Sequence, residues 1–173
     1  TGFDIGFVIG PCINATGRVS TADKAVRLLL TEDENEASLI AQDMAELNEE
    51  RKALTRNGAK RGLEIASTMP DDKVLVVYMP ELHESIAGLV AGRIKENTGK
   101  PVLVITGAST GAKGSGRSIE EYSMIDEITK CKDLLTKFGG HPMAAGFSLP
   151  VENIDALRRR LNENCSLELM DLC

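Results

Sequence analysis

The alternation of apolar and polar residues changes character twice along the chain. Phe3, Ile5, Phe7, Val8 and Ile9 form an opening apolar run, followed by GPCINATGR and a helix start at Ser20, where S-T-A-D sets a carboxylate three residues after a hydroxyl cap. Thr31 opens a second start of the same kind, T-E-D-E. From there to about Ser67 glycine is scarce and charge frequent. Ile40, Met44, Leu47 and Leu54 are spaced as the stripe of an amphipathic helix, with Gly58 and Gly62 weakening its far end. A helix of ~30 residues spans roughly 45 Å, a length suited to a connector between two lobes.

After the turn cluster Met69-Pro70-Asp71-Asp72 the pattern changes. KVLVVYM, Lys73 to Met79, is a continuous β-branched run of the buried kind, and Ile86, Leu89, Val90 and Ile94 recur at helical spacing. Gly99 stops that helix, and PVLVIT, Pro101 to Thr106, is a second buried strand. Strand, helix and strand with short joints predict a parallel pair with a right-handed crossover. GASTGAKGSGRS then reads as a Gly/Ser/Thr-rich loop. Ser123 caps a helix running to Lys137 and ended by Gly139 and Gly140, MAAGFSL is a strand, and residues 151–163 form a last helix. The fold class expected is α/β, a mixed sheet with a parallel strand-helix-strand unit and flanking helices, preceded by a long connector helix.

Composition narrows the function. Of 173 residues, 42% are hydrophobic and 27% charged, enough for one or two domains with real cores. No run of 18 apolar residues and no signal peptide are present, so no membrane association is expected. The opening at Thr1, with an apolar run already under way, reads as a cut in a longer chain. Cysteines at 12, 131, 165 and 173 include no C-x-x-C pair, and with two histidines they point to neither a zinc site nor a disulfide framework; a reducing cytosol fits. A net charge of −6 and 3% aromatics argue against bulk polyanion attraction and against a base-stacking platform. Any nucleic-acid contact must therefore come from a local site.

Two segments offer one. In GSGRS, Gly114 to Ser118, glycines allow backbone N–H groups to approach a ligand, while Ser115, Arg117 and Ser118 supply hydroxyls and a guanidinium fork suited to phosphate oxygens. A solvent loop with one exposed arginine is the plainer reading. In FGGHPMAAGF, Phe138 to Phe147, one glycine suffices to end a helix, so a second suggests close approach to a ligand or another backbone. His141 can donate to a phosphate oxygen, carry a proton, or merely cap the helix before it. His83 reads as closing a strand-to-helix joint, Arg18 as either a phosphate clamp or a surface ion pair, and Arg158, Arg159 and Arg160 as a solvated face. The acidic residues form no D-x-D, D-H-H or H-x-D cluster, so no metal centre is expected in this chain. Nucleotide binding by the strand-helix-strand unit is disfavoured, because its first joint, MPELHES, lacks a glycine fingerprint.

Taken together, IGPCINATGR, HESIAGLVAGRI, KGSGRS and FGGHPMAAGF, in this order, resemble the C-terminal half of the RecJ single-strand-specific DNA exonucleases, of the DHH phosphoesterase superfamily. The resemblance covers nearly the whole chain. It implies a two-lobed enzyme whose N-terminal DHH lobe holds two divalent ions, Mn2+ or Mg2+, on Asp and His ligands. Residues 1–31 would then be the end of that lobe and the junction, 32–68 a helical connector, and 69–173 the DHH-associated substrate-binding domain. Ser115 and Arg117, with Ser118 beside them, would grip phosphates near the 5′ end of single-stranded DNA. His141, with Gly139 and Gly140, would face the metals and hold the phosphate being cleaved, and Arg18 would bind backbone near the junction. Arg117 and His141 must on this view converge on one wall of a groove. The chain alone would bind no metal and be inert, its partners being single-stranded DNA and the N-terminal lobe. A DHH phosphodiesterase of short oligoribonucleotides or cyclic dinucleotides shares the last two motifs, and a non-catalytic docking module is the reading from another class. Cys12 stands where the family commonly has arginine, and Leu82-His83-Glu84-Ser85 where it has tryptophan, histidine, a small residue and glycine.

Overall fold

In the computed structural model of the chain, residues 1–19 and 23–167 are described, and they fall in two compact units, Thr1–Arg56 and Asn57–Cys173. Among the described residues no helix is long and apolar enough to cross a membrane.

The first unit is helical. A π-helical turn, Asp4–Ile9, runs into α1 (Gly10–Val19), followed by α2 (Asp23–Leu30) and the start of α3 (Glu34–Ala66). The opening apolar run is this turn, exposed along its length, with the rings of Phe3 and Phe7 stacked at 5.0 Å. The helix start expected at Ser20 lies outside the described residues. Thr31 is not the cap of α3. Asp33 is: its Oδ1 accepts from the backbone N–H of Asn35 at 2.8 Å and of Glu36 at 3.4 Å, while the Thr31 hydroxyl is taken up by the Glu36 carboxylate.

α3 runs unbroken for 33 residues, through both glycines expected to weaken it. Packing reverses the expectation. A Cβ on Gly62 would lie 2.5 Å from Cδ1 of Ile94, and one on Gly58 2.9 Å from Cγ2 of Val90, so the bare backbone is what lets the helix carrying Val90 and Ile94 come close.

That helix, α4 (Glu84–Thr98), joins β1 (Leu75–Tyr78) to β2 (Val102–Gly107), which pair in parallel. Gly99 ends α4 in the left-handed conformation, φ 67°, donating its N–H to Lys95. The sheet continues antiparallel through β3 (Ala112–Arg117), β5 (Ala144–Leu149) and β4 (Lys137–His141), in the order β1-β2-β3-β5-β4. The mixed sheet is the one expected, yet two boundaries differ. GSGRS is mostly strand, because Ala112 to Arg117 pair on both sides, with β2 and with β5. α5 (Met124–Lys130) ends well short of Lys137; after a 3-10 turn, Lys132–Leu134, the chain extends and Gly139 and Gly140 pair with Gly146 and Ala145 of β5. Hairpin pairing with β5, just beyond, thus outweighs a local helix stop.

Period-two alternation gives the sheet two apolar faces. Leu75, Val77, Val102 and Val104 bury against Ala87, Val90, Ala91 and Ile94 of α4 and Ala66 of α3. Val76, Leu103, Ile105, Ala112, Phe147 and Leu149 bury on the other side against α5 and α6 (Ile154–Asn164). Asn162 of α6 stitches the approach to β1: its Oδ1 accepts from Lys73 N at 2.7 Å and Val74 N at 3.0 Å, and its Nδ2 donates to Val74 O at 2.9 Å. The arginine run is no free solvated face. Arg158 binds Asp72 through both carboxylate oxygens, at 2.5 and 3.1 Å, and Arg160 pairs with Asp133.

Candidate phosphate-binding face

In the sheet, Arg117 of β3 stands opposite Ala144 of β5, which stands opposite His141 of β4. Residues directly opposite in antiparallel strands point to the same face, so Arg117 and His141 share one wall. One row along, Ser115, Gly146 and Gly139 are aligned in the same way. This is the face on which α4 covers Val102 and Val104, and α4 packs on β2 and β3; beyond it Gly146, Gly139 and His141 are exposed.

Each position has a local reason. A Cβ on Gly139 would meet no atom within 4 Å, and one on Gly146 would meet Gly114 O at 4.0 Å, so the floor between the two rows is bare backbone open to a ligand. Gly140 differs: with φ 155°, its Cβ would lie 2.3 Å from Ala144 O, and the close strand crossing requires the glycine. Arg117 Nη1 donates to Ser115 Oγ at 3.1 Å and to Gly116 O at 2.7 Å, which orients the guanidinium along the face. His141 accepts on Nδ1 from Met143 N at 3.3 Å, so the neutral ring carries its proton on Nε2 and presents a donor there.

Two readings change. Ser118 is buried at 1% exposure, and its hydroxyl donates to Tyr122 O at 2.5 Å, so it locks the turn after β3 and does not reach the open face. Gly114 and Gly116 do not offer N–H groups to a ligand: the strand is paired on both sides, and their missing side chains make room on the opposite face, where a Cβ would meet the Phe147 ring at 2.0 Å and Met124 Sδ at 2.9 Å. His83 is the N-cap of α4, its Nδ1 accepting from Ser85 N at 3.3 Å. Arg18 lies in the last turn of α1 and so in the other unit.

Gly88 is a site residue that sequence reasoning overlooked. A Cβ there would lie 2.4 Å from Nη2 of Arg117 and 2.9 Å from Ser115 Oγ, so the bare position leaves the Arg117 guanidinium its place under α4. The signal was a glycine inside an otherwise helical apolar pattern, IAGLVAGR. Among the described residues no group of three or more His, Cys, Asp or Glu side chains gathers as a metal-binding cluster. The face is a set of donors.

Known proteins share this fold. The DHHA1 domain matches residues 71–167, more than half of the chain. The single-stranded-DNA-specific exonuclease RecJ of Bacillus subtilis (strain 168) is 36% identical over 162 residues, which is 92% of this chain and 21% of that protein. RecJ of Thermus thermophilus in complex with Mn2+ superposes with a TM-score of 0.86 at 34% identity, over 94% of this chain and 24% of the other. The same protein in complex with Mg2+ gives 0.84 at 33%, over 94% and 26%. The chain thus spans about a fifth to a quarter of the length of these relatives. With sequence and backbone matched together across nearly its whole length, the chain belongs to the DHHA1 domain family, in the form found in the C-terminal region of RecJ.

Proposed function

We propose that this chain is the substrate-binding part of a RecJ-like, metal-dependent 5′→3′ exonuclease of single-stranded DNA. The observation that carries the reading is the shared row of Arg117, Ala144 and His141 beside the row of Ser115, Gly146 and Gly139. Arg117 and Ser115 hold backbone phosphates near the 5′ end, Gly139 lets the strand approach the sheet, and the Nε2–H of His141 donates to the phosphate being cleaved. Arg18 contacts backbone near the lobe junction. Such donors neutralise charge developing on the phosphoryl oxygens. Divalent ions, Mn2+ or Mg2+, in the N-terminal lobe supply the activated water and the metal charge. Residues 1–31 end that lobe, 32–68 connect, and 69–173 bind the strand.

The test is turnover of a labelled single strand by the full-length protein. Arg117→Ala and His141→Ala are each expected to lower kcat/KM. A change in association with turnover untouched would instead favour a docking module, and preference for dinucleotides over long strands would favour an oligonucleotide phosphodiesterase. The 173-residue chain alone, given Mn2+ and single-stranded DNA, is expected to release no product.

A further inference from the structure

On β3 the open face carries a third polar residue. Lys113, Ser115 and Arg117 occupy alternate positions of the strand and so project to one side. Lys113 does not present its charge unaccompanied: Nζ lies 2.6 Å from Oε2 of Glu84, in the first turn of α4. A cleft of about 410 Å3 holds the pair, with Ser85, Thr106, Ser115 and Gly146 among its lining residues. The pair therefore sits in the same depression as the Ser115 row.

We propose that Lys113 is a further phosphate-contacting residue and that Glu84 sets how much of its charge a bound strand encounters. The proposal rests on the strand-binding reading above. Both side chains are about half exposed, 51% and 49%, so water and salt screen their attraction and a phosphate oxygen can displace the carboxylate. Lys113 lies about 7 Å along β3 from Ser115, two residues of strand rise, close to one nucleotide step of an extended strand. Because the chain carries a net −6, affinity for a polyanion depends on the few cations exposed locally, and each one masked by a carboxylate is withheld from the count. Glu84 would thus weaken the grip on the strand, as an enzyme that must move along its substrate requires.

The experiment is a salt titration of binding by the full-length protein to a fluorescent oligothymidylate, with divalent ions chelated. Glu84→Gln is expected to tighten binding about fivefold at 0.1 M salt and to steepen the log–log salt slope by about 0.7, the increment for one more phosphate neutralised on a single strand. The double variant Glu84→Gln with Lys113→Ala is expected to return to wild-type affinity and slope. Unchanged binding by Glu84→Gln would overturn the proposal, as would a double variant that keeps the gain, since the carboxylate would then act by its own repulsion. Arg117→Ala separates the two levels. If it leaves binding unchanged, the face does not hold the strand; if it weakens binding while Glu84→Gln does nothing, only the role of Lys113 falls.

Discussion

Arg117 and His141 flank Ala144 in one transverse row of the sheet, on the same face and about 10 Å apart, two strand spacings. Neither is fixed by its own loop. Each is set level with the other by the register of β5 between them. Removing the Arg117 guanidinium from a bound phosphate forfeits a charge-assisted contact of about 1.5–3 kcal/mol. At about 1.4 kcal/mol per tenfold, Arg117→Ala in the full-length protein should lose on the order of 10- to 100-fold in kcat/KM, with its urea midpoint unchanged.

The two glycines of the hairpin should behave oppositely. Gly139→Ala meets open space, so the fold should stand and strand affinity should fall as the methyl blocks the floor. Gly140→Ala drives a Cβ onto Ala144 O in a backbone conformation that side chains rarely adopt, and should cost about 1–3 kcal/mol in denaturant melts. Equal stability losses in both variants would refute this division of labour.

Gly88 offers a change of opposite sign in stability and binding. Alanine within a helix is favoured over glycine by about 0.5–1 kcal/mol. The atoms its Cβ would meet are the mobile end of Arg117 and the Ser115 hydroxyl. Gly88→Ala should therefore hold or raise the melting temperature while displacing the guanidinium, and oligothymidylate binding should weaken.

Asn162 replaces the strand neighbour that the start of β1 lacks, satisfying Lys73 N, Val74 N and Val74 O. Asn162→Ala leaves these groups near a buried residue with no partner from the side chain, and should destabilise the second unit by about 1–3 kcal/mol. Hydrogen exchange should show early loss of protection at Lys73 and Val74.

Tyr122 governs the alkaline limb. Its hydroxyl is buried with no hydrogen-bond partner among the described residues, and burial, reinforced by the nearby Glu127 carboxylate, pushes its ionisation far above the ordinary phenol value. The unfolded chain then releases the phenol proton first, so stability contributed by the neutral ring is intact below about pH 10 and is lost as pH rises beyond it. Tyr122→Phe should remove that part of the fall. It should cost little at neutral pH, since an unsatisfied buried hydroxyl is removed. Cys131, whose thiol burial also pushes up, adds an earlier decline that Tyr122→Phe leaves in place.

Local pattern sufficed where one element dictates its own form. The buried runs of β1 and β2, the stripe of α4 and its stop at Gly99 follow from periodicity and from a left-handed cap that glycine tolerates. The residue types of the proposed phosphate grip, Ser115, Arg117 and His141, were also legible, because guanidinium, hydroxyl and imidazole beside glycine suggest that chemistry wherever they occur. Tertiary pairing decided the rest. The composition of GSGRS and the double glycine before His141 both speak for irregular backbone, yet pairing draws each into the sheet, β3 with β5 remote in sequence and β4 with the same strand across a tight turn. Only that pairing turns Gly114 and Gly116 toward the core, sinks Ser118 beneath the turn and brings Arg117 level with His141. A side chain's face depends on strand register, and the register that levels Arg117 with His141 is set between two segments remote from each other in sequence.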